Sequence, residues 1–176
     1  MSKLTFGLFV FLLVFPSIAR ADSAAPEMFG VREVIINNAS VPDVKAADAC
    51  GGISRETMTE TLVKAFEGTS VPAISYLDAK PPSLGVARIE LNSEVYTRTN
   101  EDLECVSWIS ITATSHANLV VPPVNTLRSV TILYWHQRAM VASGQSIHPH
   151  VVKDLLQRMA TEFAQQYRLD QPPELK

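Results

Sequence analysis

The feature that most constrains the fold is a strict alternation of apolar and polar side chains in residues 85–98, GVARIELNSEVYTR. A period of two is typical of a β-strand that buries one face and leaves the other in water. The predicted buried face carries Ala87, Ile89, Leu91, Ser93 and Val95, and the predicted wet face carries Arg88, Glu90, Asn92, Glu94 and Tyr96. The turn residues TNED follow, and LECVSWISITATS returns as the second strand of a hairpin. The sequence therefore predicts an antiparallel sheet with one solvated face.

Two amphipathic helices are predicted, one before and one after this hairpin. The stretch ISRETMTETLVKAFEG offers Ser54 as N-cap and Gly68 as a left-handed residue at its end. The stretch HPHVVKDLLQRMATEFAQQYRL has apolar residues at helical spacing and Pro149 in its first turn. Further strands are predicted in FGVREVIINN, VPAISYLDA and LRSVTILYWHQRAMV, with HANLVVPPVN as a connector. The order β-α-β-β-β-β-α predicts an α+β two-layer sandwich, with two helices on one face of a mainly antiparallel sheet of about five strands.

The amino-terminal segment predicts export. Lys3 precedes the apolar run LTFGLFVFLLVFPSIA, and Ala19-Arg20-Ala21 fits the pattern after which signal peptidase cleaves. Residues 1–21 are thus predicted to be a signal peptide. Residues 22–176 are predicted to form one soluble, periplasmic or secreted domain without a membrane span, with frayed ends at about 22–28 and 170–176.

The charge balance of the exported chain bears on its partners. Loss of Lys3 and Arg20 leaves 13 of the 15 basic residues against 18 acidic residues, a formal charge of −5. Nucleic acid and anionic lipid favour basic patches. We therefore expect neither of them to be the main partner.

Two cysteines allow one intramolecular disulfide, Cys50 with Cys105, and an oxidising compartment favours it. A catalytic thiol is the alternative, since Cys50 precedes a predicted helix, where a thiolate is favoured. No Cys-x-x-Cys spacing or assignable Cys-His pair accompanies it. A zinc site would need about four ligands, and these two cysteines do not have zinc-finger spacing.

Histidine and serine provide two further candidate chemistries. His148 and His150 in HPH could contribute to a copper or zinc site, but Pro149 limits their convergence, and an exposed loop before the last helix is the simpler interpretation. The segment ASGQS resembles a serine nucleophile frame only in residue types, because Gly-x-Ser-x-Gly does not occur. Asn38-Ala39-Ser40 is a formal glycosylation sequon. We therefore predict no catalytic residues and no cofactor.

Aromatic and large apolar residues on the wet side of the sheet form a candidate binding surface. Period-two placement puts Tyr96, Trp108, Leu133 and Trp135 there. The alternative is that the connector HANLVVPPVN folds over this side and buries them. An edge strand could equally accept a partner strand by backbone pairing.

The element order, with the closing stripe in LLQRMATEFAQQY, resembles small periplasmic assembly modules such as the TolB amino-terminal domain and the LpoB-type lipoprotein domains. We expect this chain to differ from them, because no cysteine for lipidation lies near the predicted cleavage point and no propeller is predicted in residues 22–176. The resemblance implies a non-catalytic adaptor that docks another envelope protein, and it carries over no individual residue. A periplasmic carrier of a small ligand, copper or zinc is the second hypothesis, and a small secreted hydrolase is the third.

Overall fold

The computed structural model of the chain describes residues 28–38, 50–81, 87–99, 104–121 and 126–171. Within these ranges the elements are β1 (Glu33–Ile36), α1 (Arg55–Phe66), β2 (Ala73–Ser75), β3 (Arg88–Thr99), β4 (Glu104–Val121), β5 (Thr126–Gly144) and α2 (His148–Asp170). This is the predicted order. The predicted signal peptide lies outside the described residues.

The sheet has five strands in the order β2-β1-β3-β4-β5. Strand β1 pairs in parallel with both β2 and β3, whereas β3 with β4 and β4 with β5 are long antiparallel pairs. The sheet is therefore mixed, with its antiparallel part formed by the longest strands. The predicted α+β class is confirmed.

The core lies between one face of this sheet and the two helices. Odd-numbered side chains from Ile89 to Thr97 on β3 and from Cys105 to Ala113 on β4 are buried, as the alternation predicted. Phe163 of α2 is fully buried at the centre, and its ring lies 5.8 Å from that of Phe66 on α1 and 5.4 Å from that of Trp135 on β5. These contacts join both helices to the same sheet face. Among the described residues, no helix is long and apolar enough to cross a membrane.

Helix α1 begins and ends where its sequence predicts. Ser54 is the N-cap, and its hydroxyl oxygen accepts a hydrogen bond of 3.1 Å from the backbone N–H of Thr57. Gly68 follows the helix with a φ of +74°, a conformation that a residue with a Cβ atom adopts at a cost. The local signals therefore agree with the fold at both ends of this helix.

The hairpin of β4 and β5 is longer than predicted. Residues 116–121 of the expected connector continue β4, and pairing with β5 extends to Val121 with Thr126. Strand β3, in contrast, pairs with β4 only between Cys105 and Thr114. The hairpin therefore continues past β3 as a two-stranded arm, and this part of the expected connector forms sheet and does not cover it.

The described ends of the domain are held in place. Met28 is fully buried, its N–H donates to Asp170 Oδ2 at 3.1 Å, and its C=O accepts from Gln171 Nε2 at 2.8 Å. Tyr167 OH donates to Val31 O at 2.8 Å. Residues 28, 170 and 171, at the inner limits of the two predicted frayed ends, are thus hydrogen-bonded to one another, and the rest of both ends lies outside the described residues.

Candidate functional site

The sheet face turned away from the helices, called here the outer face, carries large side chains in one row. Tyr96, Trp108 and Met140 are register partners on β3, β4 and β5. The exposed fraction is 45% for Trp108 and 41% for Met140, and Tyr96 is half-buried. The Tyr96 and Trp108 ring centroids are 5.8 Å apart, a normal distance for a favourable aromatic pair. We call these three residues the outer row.

Charged and small residues surround the outer row. On one side lie Arg98, Val106 and Ala142, and on the other lie Glu94, Ser110 and Arg138. The Arg98 guanidinium carbon lies 4.9 Å from the centre of the Tyr96 ring, and Arg98 Nε donates to Tyr96 OH. An apolar centre with a polar rim is the usual composition of a protein interface.

The structure separates Leu133 from Trp135, which the sequence placed together on the outer face. A β-bulge lies beside Ala113 and Thr114, because Ala113 pairs with Trp135 and Thr114 with Leu133. The extra residue, Tyr134, shifts the alternation by one. Leu133 is 50% exposed and stays on the outer face, while Trp135 packs against the core beneath α2. Trp135 is therefore removed from the predicted surface, which keeps Tyr96, Trp108 and Leu133.

The sequence analysis did not place Met140 and Arg138 on the outer face. Both lie on β5 after the bulge, so counting from Leu133 put them on the wrong side. Their place follows from the pairing of Met140 with Trp108 and of Arg138 with Ser110, a register that the alternation in the sequence does not define.

The two candidate metal ligands are not brought together. His148 is 2% exposed at the start of α2, whereas His150 is exposed. The prediction of an exposed loop is wrong for His148, because its ring is buried and is hydrogen-bonded to hydroxyl groups of the sheet. Among the described residues, no group of three or more His, Cys, Asp or Glu side chains is placed to hold a metal ion.

The buried imidazole of His148 links three strands to α2. Its Nε2 lies 2.7 Å from Ser107 Oγ on β4, and its Nδ1 lies 2.7 Å from Ser143 Oγ on β5. Ser107 Oγ also lies 2.7 Å from Thr97 Oγ1 on β3. Burial lowers the pKa of His148, which favours the neutral ring.

Beside this network lies the predicted disulfide, which joins Cys50 and Cys105. Both cysteines are fully buried, and Cys50 Sγ lies 3.4 Å from Thr99 Oγ1. Gly51 has a φ of +61°, and a Cβ atom there would come within 2.9 Å of Pro149 Cγ in the first turn of α2. We call the disulfide, Gly51 and the His148 network the junction.

The pair Ser143 and His148 has the spacing of a nucleophile and its base, but its surroundings do not favour catalysis. A Ser-His-Asp triad places a carboxylate at the second ring nitrogen to stabilise the imidazolium. Here that nitrogen meets the neutral hydroxyl of Ser107, which is fully buried. Proton transfer from Ser143 would therefore create a poorly compensated buried charge.

The sequon residue Asn38 has a structural role. Its side chain is 5% exposed, Nδ2 donates to Thr59 Oγ1 at 2.7 Å, and Oδ1 accepts from Ser93 Oγ. A glycan would be attached to this same nitrogen. The folded domain therefore leaves Asn38 unsuited to glycosylation.

The outer row and the junction thus differ in kind: one exposes apolar side chains, and the other buries polar ones that are hydrogen-bonded. No protein-family model matches this sequence, and no curated protein matches it closely enough to indicate a relative. The function is therefore argued from the residues themselves.

Opening the disulfide should destabilise the domain. We expect Cys50→Ser and Cys105→Ser each to lower the free energy of unfolding by about 2–4 kcal/mol, because either one opens the same crosslink across 55 residues. The double variant should cost little more than either single one, since the partners act as a unit. Urea unfolding without reductant measures all three. A double variant that costs the sum of the singles would contradict the pairing.

The buried ring of His148 predicts lower stability in acid. Because its pKa is lowered in the folded state, the unfolded chain takes up a proton first as the pH falls below about 6.5, and the free energy of unfolding decreases until the folded-state pKa is passed. His148→Gln should flatten this dependence in urea unfolding between about pH 7 and pH 5. A residual slope is expected from His136, whose pKa is lowered by burial and by Arg138.

The exposed His150 provides the matched control. His150→Gln should keep the pH dependence of the unaltered protein, because no buried contact is lost. If His148→Gln keeps that dependence as well, the buried ring is not its source.

Proposed function

We propose that this chain is an exported, non-catalytic binding module that docks another protein of the cell envelope through its outer face. The observation that carries this proposal is the outer row. Trp108 on β4 and Met140 on the edge strand β5 keep 45% and 41% of their surface exposed, whereas the same sheet face is covered at β1, where Ile35 is buried. Large apolar side chains grouped on a surface and rimmed by polar ones are typical of interaction sites.

The rigidity of the sheet supports docking as its use. Strands β3, β4 and β5 form long antiparallel ladders with one bulge at Tyr134, and the junction ties their ends to both helices. A surface already held in its binding conformation loses little conformational entropy on association. The indole of Trp108 adds a large contact area with few rotatable bonds, which is why Trp is frequent among residues that dominate binding energy.

Three features support an envelope location. The amino-terminal segment predicts a signal peptide, and the disulfide suits an oxidising compartment. The element order resembles that of periplasmic assembly modules, which is an argument by analogy at the level of the fold. Together they favour the periplasm as the place where the partner is met.

Truncation of the central indole tests the proposal. We expect Trp108→Ala to weaken association with the envelope partner by about tenfold or more, as for a Trp that dominates an interface. The measurement is capture from envelope extracts under mild crosslinking, with the variant first shown to unfold at the same urea concentration as the unaltered protein.

Leu169→Ala is the control, since Leu169 is 66% exposed on α2, on the other side of the domain. It should leave capture unchanged. Equal capture by Trp108→Ala and the unaltered protein, or an equal loss with Leu169→Ala, would contradict docking through the outer face.

A further inference from the structure

Among the described strands, β5 lies at one edge of the sheet and is unusually long. It spans Thr126–Gly144, whereas β2 at the opposite edge has only three residues. Proteins usually protect edge strands by keeping them short, by placing Pro or charged residues, especially Lys, on them, or by β-bulges. Strand β5 has a bulge at Tyr134 and no Pro or Lys, and beyond the bulge Arg138 is its one charged residue and its pairing with β4 is regular up to Gly144. This part of the edge is therefore suited to backbone pairing.

The register shows which backbone groups of β5 point away from the sheet. In a strand, the N–H and C=O of one residue point to the same side and alternate along the chain. Asn37 N–H donates to Leu91 C=O, so the backbone groups of odd-numbered residues of β3 point toward β1 and those of even-numbered residues point toward β4. Even-numbered residues of β3 pair with even-numbered residues of β4, so the backbone groups of odd-numbered residues of β4 point toward β5. After the bulge, these residues pair with odd-numbered residues of β5. Between the bulge and Ser143, the residues of β5 whose backbone groups point outward are His136, Arg138, Met140 and Ala142.

These four residues also have their side chains on the outer face. Met140 belongs to the outer row, and Arg138 and His136 follow it at intervals of two residues. An added strand would therefore place every second side chain beside them, about 4.8 Å away. A side chain opposite Met140 would extend the row of Tyr96 and Trp108.

The charge of β5 indicates what the added strand carries. The strand has Arg128, His136 and Arg138 and contains no Asp or Glu. Arg138 Nε donates to His136 Nε2 at 2.9 Å, so the ring accepts at this nitrogen and the positive charge beside it is that of Arg138. Pairing with a second copy of β5 would place no acidic side chain beside Arg138 in any register, because the strand contains none, whereas an acidic strand would place an opposite charge there. An acidic strand is favoured instead.

We propose that β5 accepts an extended acidic segment of the partner protein as an antiparallel sixth strand. The segment has an apolar residue opposite Met140 and, two and four positions later, acidic residues opposite Arg138 and His136. The antiparallel direction continues that of β4 and β5 and is slightly more stable per residue than the parallel one. This inference rests on the proposed docking function and states the chemistry of the partner.

A set of peptides tests it with the folded, disulfide-bonded protein. In TVTLTETET the leucine lies opposite Met140 and the glutamates lie opposite Arg138 and His136. The matched TVTLTKTKT replaces the glutamates with lysines. Two further forms of the glutamate peptide carry backbone N-methyl groups. One is methylated at the leucine and the first glutamate, whose N–H groups point toward β5. The other is methylated at the threonine after each of these two residues, where the N–H points away from β5. Binding is followed through NMR shifts of the backbone amides, which detect affinities as weak as about millimolar.

We expect TVTLTETET to shift the amides of residues 136–142 and to bind at least about tenfold more tightly than the lysine peptide. Methylation at the leucine and first glutamate should abolish binding because it removes donors to β5, whereas methylation at the threonines should leave binding unchanged. Arg138→Glu should make the protein prefer TVTLTKTKT. No binding, equal binding of both charge forms, or insensitivity to the position of the methyl groups would overturn the proposal.

The two proposals fail in different ways. If Trp108→Ala lowers partner capture while the peptides do not distinguish β5, the outer face docks a partner without strand addition. If the peptides behave as expected while Trp108→Ala captures normally, the edge is a strand acceptor and the outer row is not the docking site. Analytical ultracentrifugation tests whether the protein associates with itself. Self-association that is lost in Arg138→Glu would show that β5 pairs with a second copy and would overturn the proposal of an acidic partner strand.

Discussion

The buried imidazole of His148 is the interaction on which the rest of the structure depends. It joins the start of α2 to Ser107 and Ser143, and through Ser107 to Thr97, so that one ring holds the ends of three strands. The disulfide adds the segment before α1 to the same place. A buried hydroxyl left without its partner costs free energy, so this network favours one register of β3, β4 and β5. That register aligns Tyr96, Trp108 and Met140 in one row.

Local patterns in the sequence predicted what depends on near neighbours. The alternation gave the buried face of β3, the cap residues gave both ends of α1, and the compartment favoured the disulfide. Trp135 and His148 were misplaced for a different reason. The face of Trp135 depends on one extra residue at a bulge, and the burial of His148 depends on Ser107, which lies 41 positions away in the chain. Such partners come from the tertiary structure, and no local pattern indicates them.

The junction and strand β5 differ in how their polar groups are satisfied. In the junction, the imidazole of His148 and the surrounding hydroxyl groups are hydrogen-bonded to one another. Along β5, in contrast, outward backbone groups and outer-face side chains belong to the same four residues, so the edge and the face form one continuous surface. A partner that adds a strand would at the same time extend the outer row. This coupling of backbone pairing with side-chain contacts is how sheet edges combine affinity with specificity.

The most direct test of docking at this surface is photocrosslinking in cells that export the chain. A photoreactive phenylalanine in place of Met140 lies where the outer row meets the edge of β5, and the same residue in place of Leu169 lies on exposed α2. The account predicts a light-dependent adduct with an envelope protein from position 140 and none from position 169. An adduct from neither position, or the same adducts from both, would contradict it.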